Sequence, residues 1–145
     1  MNRIATLAAA MLFTAGVLAQ GAKPPTAAQA QASLQGTWVI TSFNGQPPGA
    51  DDQQIALIVT GDKYAQSQGG TINERGTFKI DTSKTPMPID LNIVEGGDAG
   101  KLQLGVIEVK GDTLTCKLAL PGAGTRPSTM SIEEGYILVV AARKK

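Results

Sequence analysis

Thr113-Leu114-Thr115-Cys116-Lys117-Leu118-Ala119-Leu120 is the stretch that decides the fold class of this chain. Leu114, Cys116, Leu118 and Leu120 share one parity, and Thr113, Thr115 and Lys117 share the other. Successive side chains of a strand point to opposite faces, so this run places its apolar set on one face and its polar set on the other. Cys116 falls on the apolar face and reads as a small, buried, structural residue. Ile89-Asp90-Leu91-Asn92-Ile93 repeats the alternation.

Working outward from these two runs, residues 37–43 form a first strand closed by Asn44-Gly45, a dipeptide suited to the positive φ of a tight turn. Residues 55–60, 63–68, 76–80 and 102–110 are further strands, separated by Gly61-Asp62, Gly69-Gly70 and other turn residues, and 135–143 is the last. With 89–94 and 113–120 that makes eight, with no convincing helix between them. The run 102–110 is apolar on one parity up to Val106 and on the other from Ile107, so a bulge near Gly105 is expected. Eight short antiparallel strands in sequence leave an edge problem, which closure into an up-and-down barrel removes. A two-sheet sandwich is the alternative, and turn chemistry does not separate the two.

The N-terminus has the three parts of an export signal. Arg3 is the positive start, residues 4–18 are uncharged, and Val17-Leu18-Ala19 ends the run, placing cleavage before Gln20. As a helix the run would cover about 22 Å, short of a hydrocarbon core of roughly 30 Å, so a stable membrane anchor is not expected. No cysteine stands just after it to accept a lipid. The chain therefore divides into a signal at 1–19, an Ala/Gln/Pro-rich spacer at 20–33 with a short helical turn after Pro25, and a barrel domain at 34–145. The expected destination is periplasmic or extracellular.

Of 13 basic and 12 acidic residues, Arg3 leaves with the signal, and the rest balance. A neutral domain is a poor partner for nucleic acid, which demands clustered positive charge. Arg143-Lys144-Lys145 reads as a solvated tail. A single cysteine means no internal disulfide, so the fold rests on its packed core.

Gly36-Thr37-Trp38 opens the first strand with a G-x-W that resembles the lipocalin signature. That resemblance implies a tryptophan at the closed end of a barrel, covered by a basic side chain from near the last strand. Arg143 is the position that fits, through a cation–π contact typically worth about 0.5–2 kcal/mol. A closer likeness spans residues 34–143, where seven phrases fall in order. They are Leu34-Gln35-Gly36-Thr37-Trp38, Thr60-Gly61-Asp62-Lys63-Tyr64, Gly76-Thr77-Phe78-Lys79-Ile80-Asp81, Pro88-Ile89-Asp90-Leu91, Gly105-Val106-Ile107-Glu108, Gly111-Asp112-Thr113-Leu114, and Pro121-Gly122 with Arg126-Pro127. Together they are similar to a family of small exported lipocalin-like domains, first noted in planctomycetes, with no established function. In that family the strand after Gly-Asp-Thr-Leu usually carries a cysteine. Cys116 stands one residue before the usual place. The likeness implies a fold and no reaction.

Histidine is absent from the sequence, which removes the usual general base, every Ser-His-Asp or Cys-His arrangement and most zinc and copper sites. Glu95-Gly96-Gly97-Asp98-Ala99-Gly100-Lys101 superficially suggests a phosphate loop. Glu95 stands where the first glycine should be, Leu102 where Ser or Thr should bind magnesium, and a strand follows instead of a helix. Glu95 and Asp98 lack the dense alternation of oxygen ligands that calcium loops use. Asp51-Asp52 and Glu133-Glu134 are adjacent acids in connections, and without a base they point to no reaction. No enzyme and no cofactor are expected.

What remains is the interior stripe Leu57, Ile89, Leu91, Ile93, Leu104, Leu114, Cys116 and Leu118. One reading makes it the lining of a pocket for a small hydrophobic ligand, with Tyr64 and Gln66 as polar handles. The other makes it a packed core under a non-catalytic interaction or accessory module of the cell envelope.

Overall fold

The computed structural model describes residues 23–49 and 54–145. The expected signal at 1–19, the first residues of the spacer and the pair Asp51-Asp52 lie outside the described residues. Within them, helix α1 (Ala27–Leu34) precedes strands β1 (Gly36–Phe43), β2 (Ile55–Thr60), β3 (Lys63–Gln68), β4 (Thr71–Ile80), β5 (Met87–Glu95), β6 (Leu102–Lys110), β7 (Thr113–Ala119) and β8 (Tyr136–Arg143). Each strand pairs antiparallel with its sequence neighbours, and β8 returns to β1. The sheet is a closed up-and-down, lipocalin-like barrel with no free edge, and the sandwich is excluded.

Local chemistry accounts for the hairpins. Asn44 and Gly45 both take positive φ, 47° and 79°, as a two-residue turn of the right twist requires. Phe43 and Gln46 exchange backbone hydrogen bonds of 2.8 and 2.9 Å across it. In β1 the register slips between Ile40 and Ser42, so Trp38, Ile40 and then Phe43 face inward.

Three sequence expectations change. The strand expected at 76–80 begins at Thr71: Thr71 to Arg75 has Ile72 as its one apolar residue and so shows no apolar alternation, yet it completes the hairpin with β3 through Gln68↔Thr71 and Ser67↔Ile72. The bulge expected near Gly105 does not exist. β6 runs in unbroken register against β5 from Leu102 to Ile107 and against β7 from Gly105 to Lys110. Gln103 and Ile107 face the interior, so Leu104, two residues after an outward Leu102 and two before an outward Val106, points out and is not lining. The apparent change of parity arises because inward Gln103 and Gly105 are not hydrophobic, whereas outward Val106 is. A Cβ at Gly105 would lie 2.6 Å from Leu118 Cδ2 and 2.7 Å from the Lys117 carbonyl oxygen, so no larger residue fits.

Val106 is apolar for a second reason. It is buried beneath the connection 120–135, beside Arg126 and Pro127. Arg126 Nη1 donates to the carbonyls of Ile89 (2.9 Å) and Gly105 (2.8 Å), and Nη2 donates to Asp90. Further along, Glu133 accepts from the fully buried Lys117 at 2.8 Å, and the Lys117 ammonium sits 5.0 Å from the Tyr136 ring centre. The connection is a strap tied to the outer face of β5, β6 and β7.

The third change concerns the segment read as a spacer. Thr26 and Gln29 form a reciprocal cap of 3.2 and 3.0 Å at the start of α1, and Ala30 and Leu34 are buried. Gln35 exchanges hydrogen bonds with both backbone groups of Gly61, at 2.7 and 3.0 Å, and Gln31 donates to the same carbonyl. These bonds seat the helix on the end of the barrel where β2 turns into β3.

Candidate functional site

At that end the floor is closed. Trp38 is fully buried, and its Nε1 donates to the Leu34 carbonyl at 2.9 Å. The Arg143 guanidinium lies 4.2 Å from the ring centre, so the pair predicted from the sequence is in contact. Arg143 is more than a cover for the ring. It donates to the carbonyls of Gln35 (2.6 Å) and Ser33 (2.8 Å) and pairs with Asp112 at 3.3 Å. Those carbonyls belong to the last turn of α1 and the residue after it, where four acceptors lack intrahelical partners, so one cation caps the helix and pins it to β8.

Above the floor runs a cavity of about 290 Å³. Its lower wall is the buried cluster Leu34, Val59, Phe78, Ile89, Ile107 and Leu114, with Ala141. Its middle and upper walls are Ile40, Leu57, Leu91, Cys116, Leu118, Ile137 and Val139, and the far end carries Phe43, Gln66, Glu74, Asp98, Gln103 and Pro121. The floor residues are buried, whereas Leu57, Leu91, Leu118 and Val139 face inward and yet stay partly exposed. The barrel is thus shut at the Trp38 end and accessible at the other.

Of the residues singled out from the sequence, Leu57, Tyr64, Gln66, Ile89, Leu91, Leu114, Cys116 and Leu118 meet in this cavity. Ile93 is buried but takes no part in the lining: its backbone closes the β5–β6 turn through Lys101 and Gly100. Leu104 is on the outer face. Cys116 is buried among apolar neighbours, and desolvation pushes its thiol up to about 12, so it stays protonated and unreactive at neutral pH. Glu95, half of the rejected calcium pair, is engaged with Arg75 at 3.0 Å.

Two polar residues escaped the sequence reading. Glu74 accepts a 2.9 Å hydrogen bond from the Tyr64 hydroxyl. The arrangement needs Gly76, because a Cβ there would meet the Tyr64 ring at 2.7 Å. Burial and then the neighbouring Glu74 carboxylate push the Tyr64 phenol well above its ordinary value. Gln103 is buried and donates its Nε2 to the Ala119 carbonyl at 2.8 Å. Glu74 lies two residues before Gly76 and would have shared its inward parity had the strand been extended. Gln103 follows from Ile107 by the same count once no bulge is assumed.

The second concavity, about 550 Å³, is an outer groove between the strap and residues 79–90, lined by Lys79, Asp81, Lys84, Asp90 and Arg126 among others. Its charges are mixed, and Arg126 and Asp90 are already paired. Among the described residues no helix is long and apolar enough to cross a membrane, and no three His, Cys, Asp or Glu side chains cluster as metal ligands. No protein-family model matches the chain, and a search of curated proteins finds no match.

Proposed function

We propose that this chain is an exported lipocalin-like binding protein that takes a small hydrophobic molecule into its barrel and performs no reaction on it. The cavity carries the reading. A volume of about 290 Å³, walled by leucine, isoleucine and valine and entered from one end, is at the lower limit of the roughly 300–1,000 Å³ typical of small-molecule sites. It is about twice an engineered cavity of roughly 150 Å³ that accepts benzene. A filled barrel with a working outer surface would have buried Leu57, Leu91, Leu118 and Val139 as thoroughly as Leu114, and it does not.

Export rests on the tripartite pattern of residues 1–19, and membership of the lipocalin-like family on the seven ordered phrases. The binding role without catalysis rests on the absence of histidine and on the elevated thiol of Cys116, which leave the cavity no imidazole base and no thiolate nucleophile. A neutral apolar fluorophore such as phenylnaphthylamine, titrated into the folded domain, tests the proposal. One-to-one binding that an alkanol displaces is the expected result; a fluorophore that stays dark at every concentration would overturn it.

A further inference from the structure

The polar groups of the cavity are unequal in what they offer. Among the described residues, the charged side chains in its lining are Glu74 and Asp98, and no lysine or arginine joins them. Asp98 already has a cation, Lys101, at 2.7 Å. Glu74 has none within ion-pairing distance among the described residues, and its one bond comes from a neutral phenol. The rest of the set leans the same way. Gln103 gives one of its two amide N–H groups to Ala119 and keeps its oxygen, Tyr64 spends its proton on Glu74 and keeps its lone pairs, and Gln66 has an uncommitted amide that offers both donors and an acceptor. Acceptor sites in the cavity outnumber its donors, and it carries one uncompensated negative charge.

The geometry points to a cationic amphiphile as the ligand class: a primary amine head held at Glu74, with an aliphatic or aromatic body of about ten carbon atoms in the apolar barrel. This rests on the binding role proposed above and deepens it. An ammonium head has three N–H donors and no acceptor, which complements Glu74, the Tyr64 hydroxyl oxygen and the amide oxygens. A fatty carboxylate would bring a second negative charge to Glu74 with no cation to receive it. Fatty alcohols fit the walls but leave the charge of Glu74 unanswered. Partial burial of Glu74 strengthens its attraction for a cation over that of a surface carboxylate, because the local dielectric is lower.

Calorimetric titration of the folded domain with octylamine, octanol and octanoate at pH 7 tests this, since the amine is then protonated as a lysine would be. Octylamine should bind about ten- to a hundredfold more tightly than octanol, the usual return on a charge-assisted hydrogen bond, and octanoate most weakly. In Glu74→Gln, which keeps an acceptor and the shape, the amine and the alcohol should bind alike. Equal affinity of amine and alcohol for the native domain overturns the cationic class while leaving the hydrophobic site intact. Failure of all three to bind overturns the binding role itself. The comparison among ligands on the native protein decides the matter even if the variant folds poorly.

Discussion

Glu133→Ala should destabilise this barrel more than Lys117→Met, although Lys117 is the buried member of the pair. The Lys117 side chain is 0% exposed and Glu133 is 55% exposed, at 2.8 Å from each other. Truncating Glu133 strands a buried ammonium with the Tyr136 ring, 5.0 Å away, as its remaining support. Breaking a fully buried pair from one side typically costs about 3–5 kcal/mol. Here water reaches the Glu133 side, and the ring returns about 0.5–2 kcal/mol, so a loss of about 2 kcal/mol is expected. For a domain of roughly 110 residues, an unfolding entropy of about 2.1 cal/mol/K per residue converts each kcal/mol into roughly 4 °C, hence a fall in Tm of about 8 °C. Lys117→Met removes the charge, keeps an unbranched stem of similar volume in the same slot, and leaves Glu133 to solvent. It should stay within about 1 kcal/mol of the native protein, on either side. Urea unfolding of both single variants and the double variant, followed by Trp38 fluorescence, gives the cycle, in which the double variant should resemble Lys117→Met. A Lys117→Met loss equal to or greater than that of Glu133→Ala would refute the reasoning, because the pair would then be a net source of stability instead of a compensated burial.

Trp38→Ala should cost about 3–5 kcal/mol by opening a cavity at the floor, and Arg143→Ala less, with a shift in tryptophan emission as the cation leaves the ring; denaturant titration reads both, and a fully stable Trp38 variant would remove the floor from the account. Cys116 makes stability fall with pH. Its thiol is pushed up from 9.0 to about 12, so above pH 9 the unfolded chain releases a proton that the folded one holds, at up to about 1.4 kcal/mol per pH unit. Cys116→Ala should lose less stability than the native domain between pH 8 and 10, the tyrosine contribution being common to both proteins, and parallel Tm profiles would contradict this.

Strand order was legible because hydrophobic alternation and turn residues act locally, whereas closure, a pairing of β8 with β1 about 100 residues away, was expected only from the edge problem and the lipocalin resemblance. β2, β3 and β6 begin and end where the sequence places them, since Gly61-Asp62, Gly69-Gly70 and Gly111-Asp112 leave little choice. What escaped is everything whose cause is distant in sequence. Lys117 reads as a solvent-facing residue of β7 until the strap brings Glu133 over it. Val106 reads as interior until Arg126 and Pro127 cover the opposite face. Leu104 was misplaced by the same confusion, because a strap gives β6 two apolar faces and so removes the contrast on which parity depends. α1 was expected only as a short helical turn after Pro25, and its docking on the barrel escaped for another reason. Its one large apolar side chain is Leu34, and its seat depends on Gly61 and Arg143, at 26 and more than 100 residues' remove from the partners they bind.

These long-range ties also explain how a domain without disulfides can keep a cavity. An empty apolar volume forfeits packing on every wall that faces it, so the rest of the barrel has to be over-determined. The ties are placed accordingly. Arg143 binds β8, α1 and the β6–β7 turn into one floor, and Arg126 binds the strap to β5 and β6 on the outside. Both arginines bind their backbone carbonyls from outside the cavity, so their contribution does not depend on what the cavity holds. Glu74 and Gln66 stand at the other end, where the inward leucines are partly exposed and, among the described residues, no arginine binds backbone carbonyls of neighbouring elements. Rigidity concentrated at the floor and outer wall, with acceptors left uncommitted at the mouth, is the distribution that the proposed binding role requires.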